Sequence, residues 1–162
     1  MYTKIRRVGR LAVVAAILVM TLVVPVGTAS AAPNVDGDAT PVDECGGATS
    51  LITLELSGGF EGCLYTDVIT RAKFRPDGVY IEQGFETIVG CLDTADGEKC
   101  GTLSTSFEYV ATFAPDGTQL TGGCTHPILS GTGDLDGASG VIVFRDDVVT
   151  GEAHFRGVVD LP

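Results

Sequence analysis

From Ser50 onward the chain alternates apolar and polar residues with a period of two, the pattern of strands that bury one face. Ile52, Leu54 and Leu56 share a face. Leu64, Thr66, Val68, Thr70, Ala72 and Phe74 share another, opposite Tyr65, Asp67, Arg71 and Lys73. Val79, Ile81, Phe85 and Val89 then alternate with Tyr80, Glu82 and Glu86, which assigns the two acids to water. Leu103, Phe107, Tyr109, Ala111 and Phe113 alternate with Ser104, Ser106, Glu108 and Thr112, and Val141 to Arg145 and Glu152 to Val159 are further strand candidates. Pro76-Asp77-Gly78 and Pro115-Asp116-Gly117 read as turns, with proline presetting φ and glycine accepting a positive one. Each closes a matching pentapeptide, Phe-Arg-Pro-Asp-Gly and Phe-Ala-Pro-Asp-Gly, spaced 39 residues apart, which suggests two related hairpins. No segment after residue 32 carries a helical period. The pattern predicts one all-β antiparallel domain, a sandwich or a barrel, and closure into a barrel removes exposed edge strands.

The first 31 residues follow a different rule. Lys4, Arg6, Arg7 and Arg10 form a basic start, Leu11 to Val24 is almost wholly apolar, and Ala29-Ser30-Ala31 supplies small residues. This is the pattern of a cleaved secretory signal, with cleavage near Ala31 or Ala32. The apolar run of about 14 residues is shorter than the roughly 20 a spanning helix needs. Arg6-Arg7 alone is too little for a twin-arginine signal, and no cysteine is placed for lipidation. Residues 32–48 hold Pro33, Pro41, several Asp and few apolar residues, and read as a flexible lead-in to a barrel over 49–162.

Removing that leader leaves six Lys and Arg against 21 Asp and Glu, a net charge of −15. So acidic a surface repels phosphate backbones and anionic lipids, so neither nucleic acid nor membrane is an expected partner of the mature chain. Export makes disulfides expected among Cys45, Cys63, Cys91, Cys100 and Cys124. Cys91–Cys100 is favoured, because it closes the short polar loop Leu92–Lys99 between two strand-like runs. The other three are not fixed by spacing; Cys63–Cys124 is the working pair. No C-x-x-C is present and histidine is scarce, so no metal site is expected.

Residues 126–145 include Gly131-Thr132-Gly133, then Ala138 and Gly140, ahead of the apolar run Val141-Ile142-Val143-Phe144. In this segment the chain resembles the allene oxide cyclase and dirigent superfamily of small β-barrels. The resemblance implies an eight-stranded antiparallel barrel of about 120 residues with an apolar interior able to hold one small ligand. It carries over no catalytic residue. The five motif residues read as structural, with glycine allowing positive φ and close backbone approach.

Candidate chemistry is sparse. His126 shares parity with Leu120, Cys124 and Ile128 and is expected to point inward, where it could act as acid or base. His154 falls on a polar face and is assigned to solvent. Glu82 and Glu86 with Tyr80 would form an acid–base set only if a bulge turned them inward. Gln83 and Thr105, polar residues on otherwise apolar faces, would orient a ligand in a lumen shared with Phe107, Tyr109 and His126. Asp134-Leu135-Asp136-Gly137 and Asn34, Asp36 and Asp38 are incomplete calcium-loop fragments. There is no Gly-x-Ser-x-Gly. The leading expectation is a secreted barrel that binds a small apolar ligand, or serves as an extracellular interaction module, with no cofactor. One rival is a cyclase, isomerase or coupling enzyme using the lumen, with His126 and Tyr109 as first candidates. Another is a protease inhibitor presenting the Leu92–Lys99 loop. Oligomers are compatible with each.

Overall fold

The computed structural model describes residues 34–162, so the leader reading lies outside the described residues. Eight strands follow one another in order: β1 Asn34–Pro41, β2 Thr53–Gly58, β3 Phe60–Phe74, β4 Val79–Leu92, β5 Lys99–Phe113, β6 Gln119–Gly133, β7 Ser139–Asp146 and β8 Ala153–Asp160. Each pairs antiparallel with its neighbours and β1 closes on β8, so the sheet is a closed up-and-down barrel. No helix occurs among the described residues. The all-β, eight-stranded reading is borne out.

The lead-in is corrected. Residues 34–41 are not a flexible tail but the strand that closes the barrel, paired to β2 from Gly37↔Gly58 to Pro41↔Leu54 and to β8 from Asn34↔Val158 to Ala39↔Ala153. Its inward residues are small: Val35 and Ala39 are fully buried, and Gly37 is so close to the Phe155 ring that a Cβ there would lie 2.6 Å from Phe155 Cζ. A strand whose buried face is Val, Gly and Ala shows almost no hydrophobic periodicity, although it is as necessary to closure as any other.

The two Pro-Asp-Gly segments fold alike. In each, the residue before the proline bonds the residue after the glycine (Arg75 N to Val79 O, 2.8 Å; Ala114 N to Thr118 O, 2.8 Å), and glycine sits at φ +82° and +88°. In each, the turn aspartate accepts from the amide two residues on. The hairpins lie side by side, with Phe113 N donating to Gly78 O at 2.8 Å and the Phe74 ring tilted against Phe113 with centroids 5.6 Å apart.

Bulges break the alternation where it was read as continuous. The register shift at Thr66/Val68 turns Val68 outward, a second follows at Ile69/Arg71, and shifts at Ser104/Thr105 and Thr112/Phe113 leave Leu129 and Leu120 exposed on β6. Each bulge adds one residue to one strand, and side chains beyond it change face.

The interior has two unlike halves. At one end Val35, Phe60, Ile88, Leu92, Leu103, Ile142, Phe155 and Val159 are packed to near-zero exposure. The turn from Gly133 to Ala138 seals this end by inserting Leu135, itself fully buried. The Gly-Thr-Gly motif serves this plug. Gly133 takes φ +66°, a Cβ on Gly131 would run into the Leu135 carbonyl, and Ala138 packs into the core. Gly140, at φ +129°, lies against Val158 where β7 begins. Asp134 and Asp136 thus belong to a tight structural turn, and Asp36 and Asp38 to the outer face of β1. The opposite end, where the two long hairpins and the β7–β8 turn rise, is open.

Cys91–Cys100 is formed, joining directly paired residues of β4 and β5 with Cα atoms 4.0 Å apart. The Cys63–Cys124 pairing is corrected. Cys63 points out of β3 and pairs with Cys45, while Cys124 is a free thiol on the inner face of β6. The Cys45–Cys63 bridge, the Tyr65 hydroxyl donating to Cys45 O at 2.6 Å, and the Ser50–Thr53 hydrogen bonds hold residues 42–52 against the outside of β2 and β3.

Candidate functional site

The open half of the barrel encloses a cavity of about 420 Å³. Its apolar wall comes from Leu54 of β2, Leu64 of β3, Phe107 of β5 and Phe144 of β7. Its polar wall comes from β4, β5, β6 and the end of β7: Glu82 and Glu86, Tyr109, Gln119 and His126, and Asp146.

Glu82 and Glu86 were assigned to water, and the structure reverses this: they are 8 % and 5 % exposed, while Phe85 and Val89 face out at 46 % and 43 %. The reason is register. Glu82 pairs with Tyr109, Gly84 with Phe107 and Glu86 with Thr105, and cross-strand partners share a face. The same face of β4 continues into Ile88 and Leu92, both fully buried in the sealed end. Packing there fixes the parity for the whole strand and carries the two acids inward. Gly84 completes the fit, since a Cβ there would lie 2.6 Å from Phe107 Cε1.

Glu86 is the hub of the inner site. Thr66 Oγ1 donates to its Oε1 at 2.9 Å, and His126 Nε2 lies 2.7 Å from its Oε2. The second contact is close but not aligned as a hydrogen bond. Glu86 Oε2 is therefore buried without a hydrogen-bond partner, and His126 Nδ1, the other ring nitrogen, is also buried without one among the described residues. His126 itself is 2 % exposed, with its ring edge-to-face with Phe144 at 4.6 Å and stacked on Phe107 at 6.3 Å. A buried polar atom left unbonded costs about 1–3 kcal/mol, so this pair marks where the protein has left hydrogen-bonding capacity for something else.

Nearer the mouth, Tyr80 donates to Glu82 in a very short hydrogen bond. Tyr109 donates to Asp146 Oδ2 at 2.8 Å, and Gln119 Nε2 bridges both, 2.7 Å from Asp146 and 3.0 Å from the Tyr109 hydroxyl. The bond to Glu82, with a smaller effect from burial, pushes the Tyr80 phenol up to about 12. Burial first, then the bond to Asp146, pushes Tyr109 well above the ordinary tyrosine range. Burial likewise raises the Cys124 thiol, helped by the negative charge of Glu86. Both phenols and the thiol are therefore fixed as neutral groups at neutral pH.

The residues expected in the lumen sort as follows. Thr105, Phe107, Tyr109 and His126 point in; Thr105, 1 % exposed, reaches back to the Glu86 carbonyl at 3.4 Å. Gln83 does not: it lies on the outer face, bonded to Glu108 at 2.5 Å, because its β4 neighbours Glu82 and Gly84 take the inner positions. His154 is exposed beside Asp38, as its polar parity implied. Asp146 and Gln119 escaped the sequence reading. Asp146 shares parity with Ile142 and Phe144, a signal lost by ending the strand at Arg145; Gln119 precedes the bulge at Leu120, so parity could not place it. No group of three or more metal-ligating side chains is gathered among the described residues.

Searches against family models, curated proteins and solved structures find no match to this chain.

Proposed function

We propose that the protein is an extracellular binding barrel that holds one small, largely apolar molecule in the open half of its lumen. The observation that carries this reading is the asymmetry of the interior: one end is filled to near-zero exposure and plugged by Leu135, while the other keeps a cavity of about 420 Å³ walled by Leu54, Leu64, Phe107 and Phe144. An apolar cavity with a few converging polar groups is the usual form of a small-molecule site. The leader-like N-terminus and the two disulfides support an extracellular setting, and the resemblance in residues 131–140 supports a ligand-holding barrel. Native mass spectrometry of the protein collected from its own culture medium tests this. A discrete added mass lost on denaturation is the expected result. A bare polypeptide mass that stays bare after incubation with organic extracts of the medium would reject the reading.

A second reading rests on the Glu86–His126 contact. A carboxylate steered by Thr66 and set 2.7 Å from an imidazole in an apolar pocket can move a proton on a bound molecule, as an isomerase or cyclase requires. Here His126→Gln, which keeps a polar side chain in this buried position, should stop conversion of the ligand while circular dichroism shows the fold retained. Unchanged conversion would exclude His126 from any such role.

A further inference from the structure

We infer that the lumen is built for an organic cation: an apolar or aromatic body carrying a protonated amine. The inference rests on the lumen being a binding site and names the chemistry of its ligand.

The charge of the cavity is one-sided. Glu82, Glu86 and Asp146 face its interior, Asp147 and Glu152 stand at its rim, and no lysine or arginine among the described residues lines it. Acidic walls alone would describe many surfaces; here the hydrogen-bond inventory points the same way. The hydroxyl and amide donors that line the cavity are already in use, Tyr80 on Glu82, Tyr109 on Asp146, and Gln119 on Asp146 and the Tyr109 oxygen. What remains unbonded is Glu86 Oε2 and His126 Nδ1, on side chains only 6 % and 3 % exposed. Nε2 is the ring nitrogen beside the Glu86 carboxylate, 2.7 Å from Oε2, so the ring proton belongs there and Nδ1 offers a lone pair. Nδ1 and the spare lone pairs of the three carboxylates all accept, and none of them donates.

A ligand that satisfies this cavity must bring donors and positive charge. An ammonium does both, with three N–H groups and no acceptor, and it gains most from a carboxylate in a poorly hydrated site. Phe107, Tyr109 and Phe144 supply aromatic faces and edges around the same position, which suits a cation as well as an aromatic body. A carboxylate ligand would meet three acids and find no free strong donor. A neutral alcohol could use one acceptor and leave the charge uncompensated.

The test is a matched set of head groups on one body: tryptamine, its alcohol tryptophol and its acid indolepropionate, titrated calorimetrically into the mature protein, with octylamine, octanol and octanoate as a second body. Measurement at physiological salt screens charges beyond a Debye length of about 8 Å, so the remote acidic surface contributes little. In at least one body the amine should bind about tenfold or more tighter than the alcohol, with the acid weaker still. Glu82→Gln or Asp146→Asn should lower the affinity for amine while leaving that for alcohol within about twofold. Equal binding of amine and alcohol overturns the cation inference and leaves the binding reading standing. Tighter binding of the acid overturns it outright. No binding of any of the six overturns the cation inference, and the binding reading then stands or falls on the native mass measurement.

Discussion

At the scale of single residues, the mouth of the cavity depends on one missing side chain. Gly122 has ordinary φ, so its conformation does not demand glycine. Its surroundings do: a Cβ would collide with the Asp146 carboxylate and the Gln119 amide, coming within 2.7 Å of Asp146 Cγ. Gly122→Ala should therefore push Asp146 off Tyr109, lower stability by about 0.5–1.5 kcal/mol through that lost hydrogen bond because only side-chain ends must move, and return the Tyr109 phenol toward its ordinary range. Ultraviolet titration of the tyrosines reads the second effect directly. An alanine variant that titrates like the parent would show that Asp146 is not held by this gap. Cys124 gives a residue-scale prediction in pH. Its folded thiol pKa is raised by burial above the ordinary value of about 8.5, so above that pH the native state keeps a proton that the unfolded chain has released. Stability must then fall as pH rises through the unfolded value and beyond. The melting temperature should drop from pH 8 to 10, less steeply in Cys124→Ala, and native Cys124 should resist iodoacetamide at pH 8 until the protein is unfolded. Fast native alkylation would contradict the burial that raises the thiol.

At the scale of elements, the two disulfides do different jobs and should differ in what their loss costs. Cys91–Cys100 spans nine residues across a hairpin already fixed by a continuous ladder from Val79↔Thr112 to Leu92↔Lys99. Cys45–Cys63 spans 18 and pins a segment whose only regular pairing is the isolated Cys45↔Ala48 bridge. Chain entropy assigns the longer loop about 3 kcal/mol and the shorter slightly less. The Cys45→Ala/Cys63→Ala variant should also release residues 42–52 from the outer face of β2 and β3, seen as faster hydrogen exchange at Thr53 and Tyr65. If the Cys91→Ala/Cys100→Ala variant melts lower instead, the ladder is not what holds that hairpin. Elements also show what the sequence could and could not reveal. β5 was legible throughout, because Leu103, Phe107 and Ala111 face the core in unbroken alternation. The Pro-Asp-Gly turns were legible because their chemistry is local. β1 was hidden, because a closing strand that buries Val, Gly and Ala carries no strong period. β4 was misread, because it presents apolar residues on both faces and only long-range pairing decides which face is inner. The candidate site suffered most. His126 and Tyr109 followed from parity, but Glu82, Glu86, Gln119 and Asp146 depend on register, bulges and a strand end that local pattern does not encode.

At the scale of the whole molecule, the acidity of the chain works against the fold. Residues 32–162 carry −15, and the barrel concentrates this charge on a compact surface and into one end of its lumen. Self-repulsion destabilises a compact state more than an expanded one, and salt screens it. Between 0.01 and 0.15 M salt the Debye length contracts from about 30 to about 8 Å, from roughly the span of a small domain to less than the spacing of most surface charges. Inert monovalent salt over this range should therefore raise the melting temperature. The surface contribution should reach a plateau, because charges farther apart than the screening length no longer interact. The lumen is different: Glu86 is 5 % exposed and bulk ions screen it poorly, so its unfavourable charge should persist at high salt and be relieved only by a cation that enters. Tryptamine at saturating concentration should then add a further rise on top of the salt plateau, and Glu82→Gln, which removes lumen charge, should raise the salt-free melting temperature and shrink that added rise. A melting temperature that falls with salt would mean that attractive pairs, not repulsion, dominate the surface. The described Arg75–Asp77 ion pair on the surface is exposed and too little to produce that result.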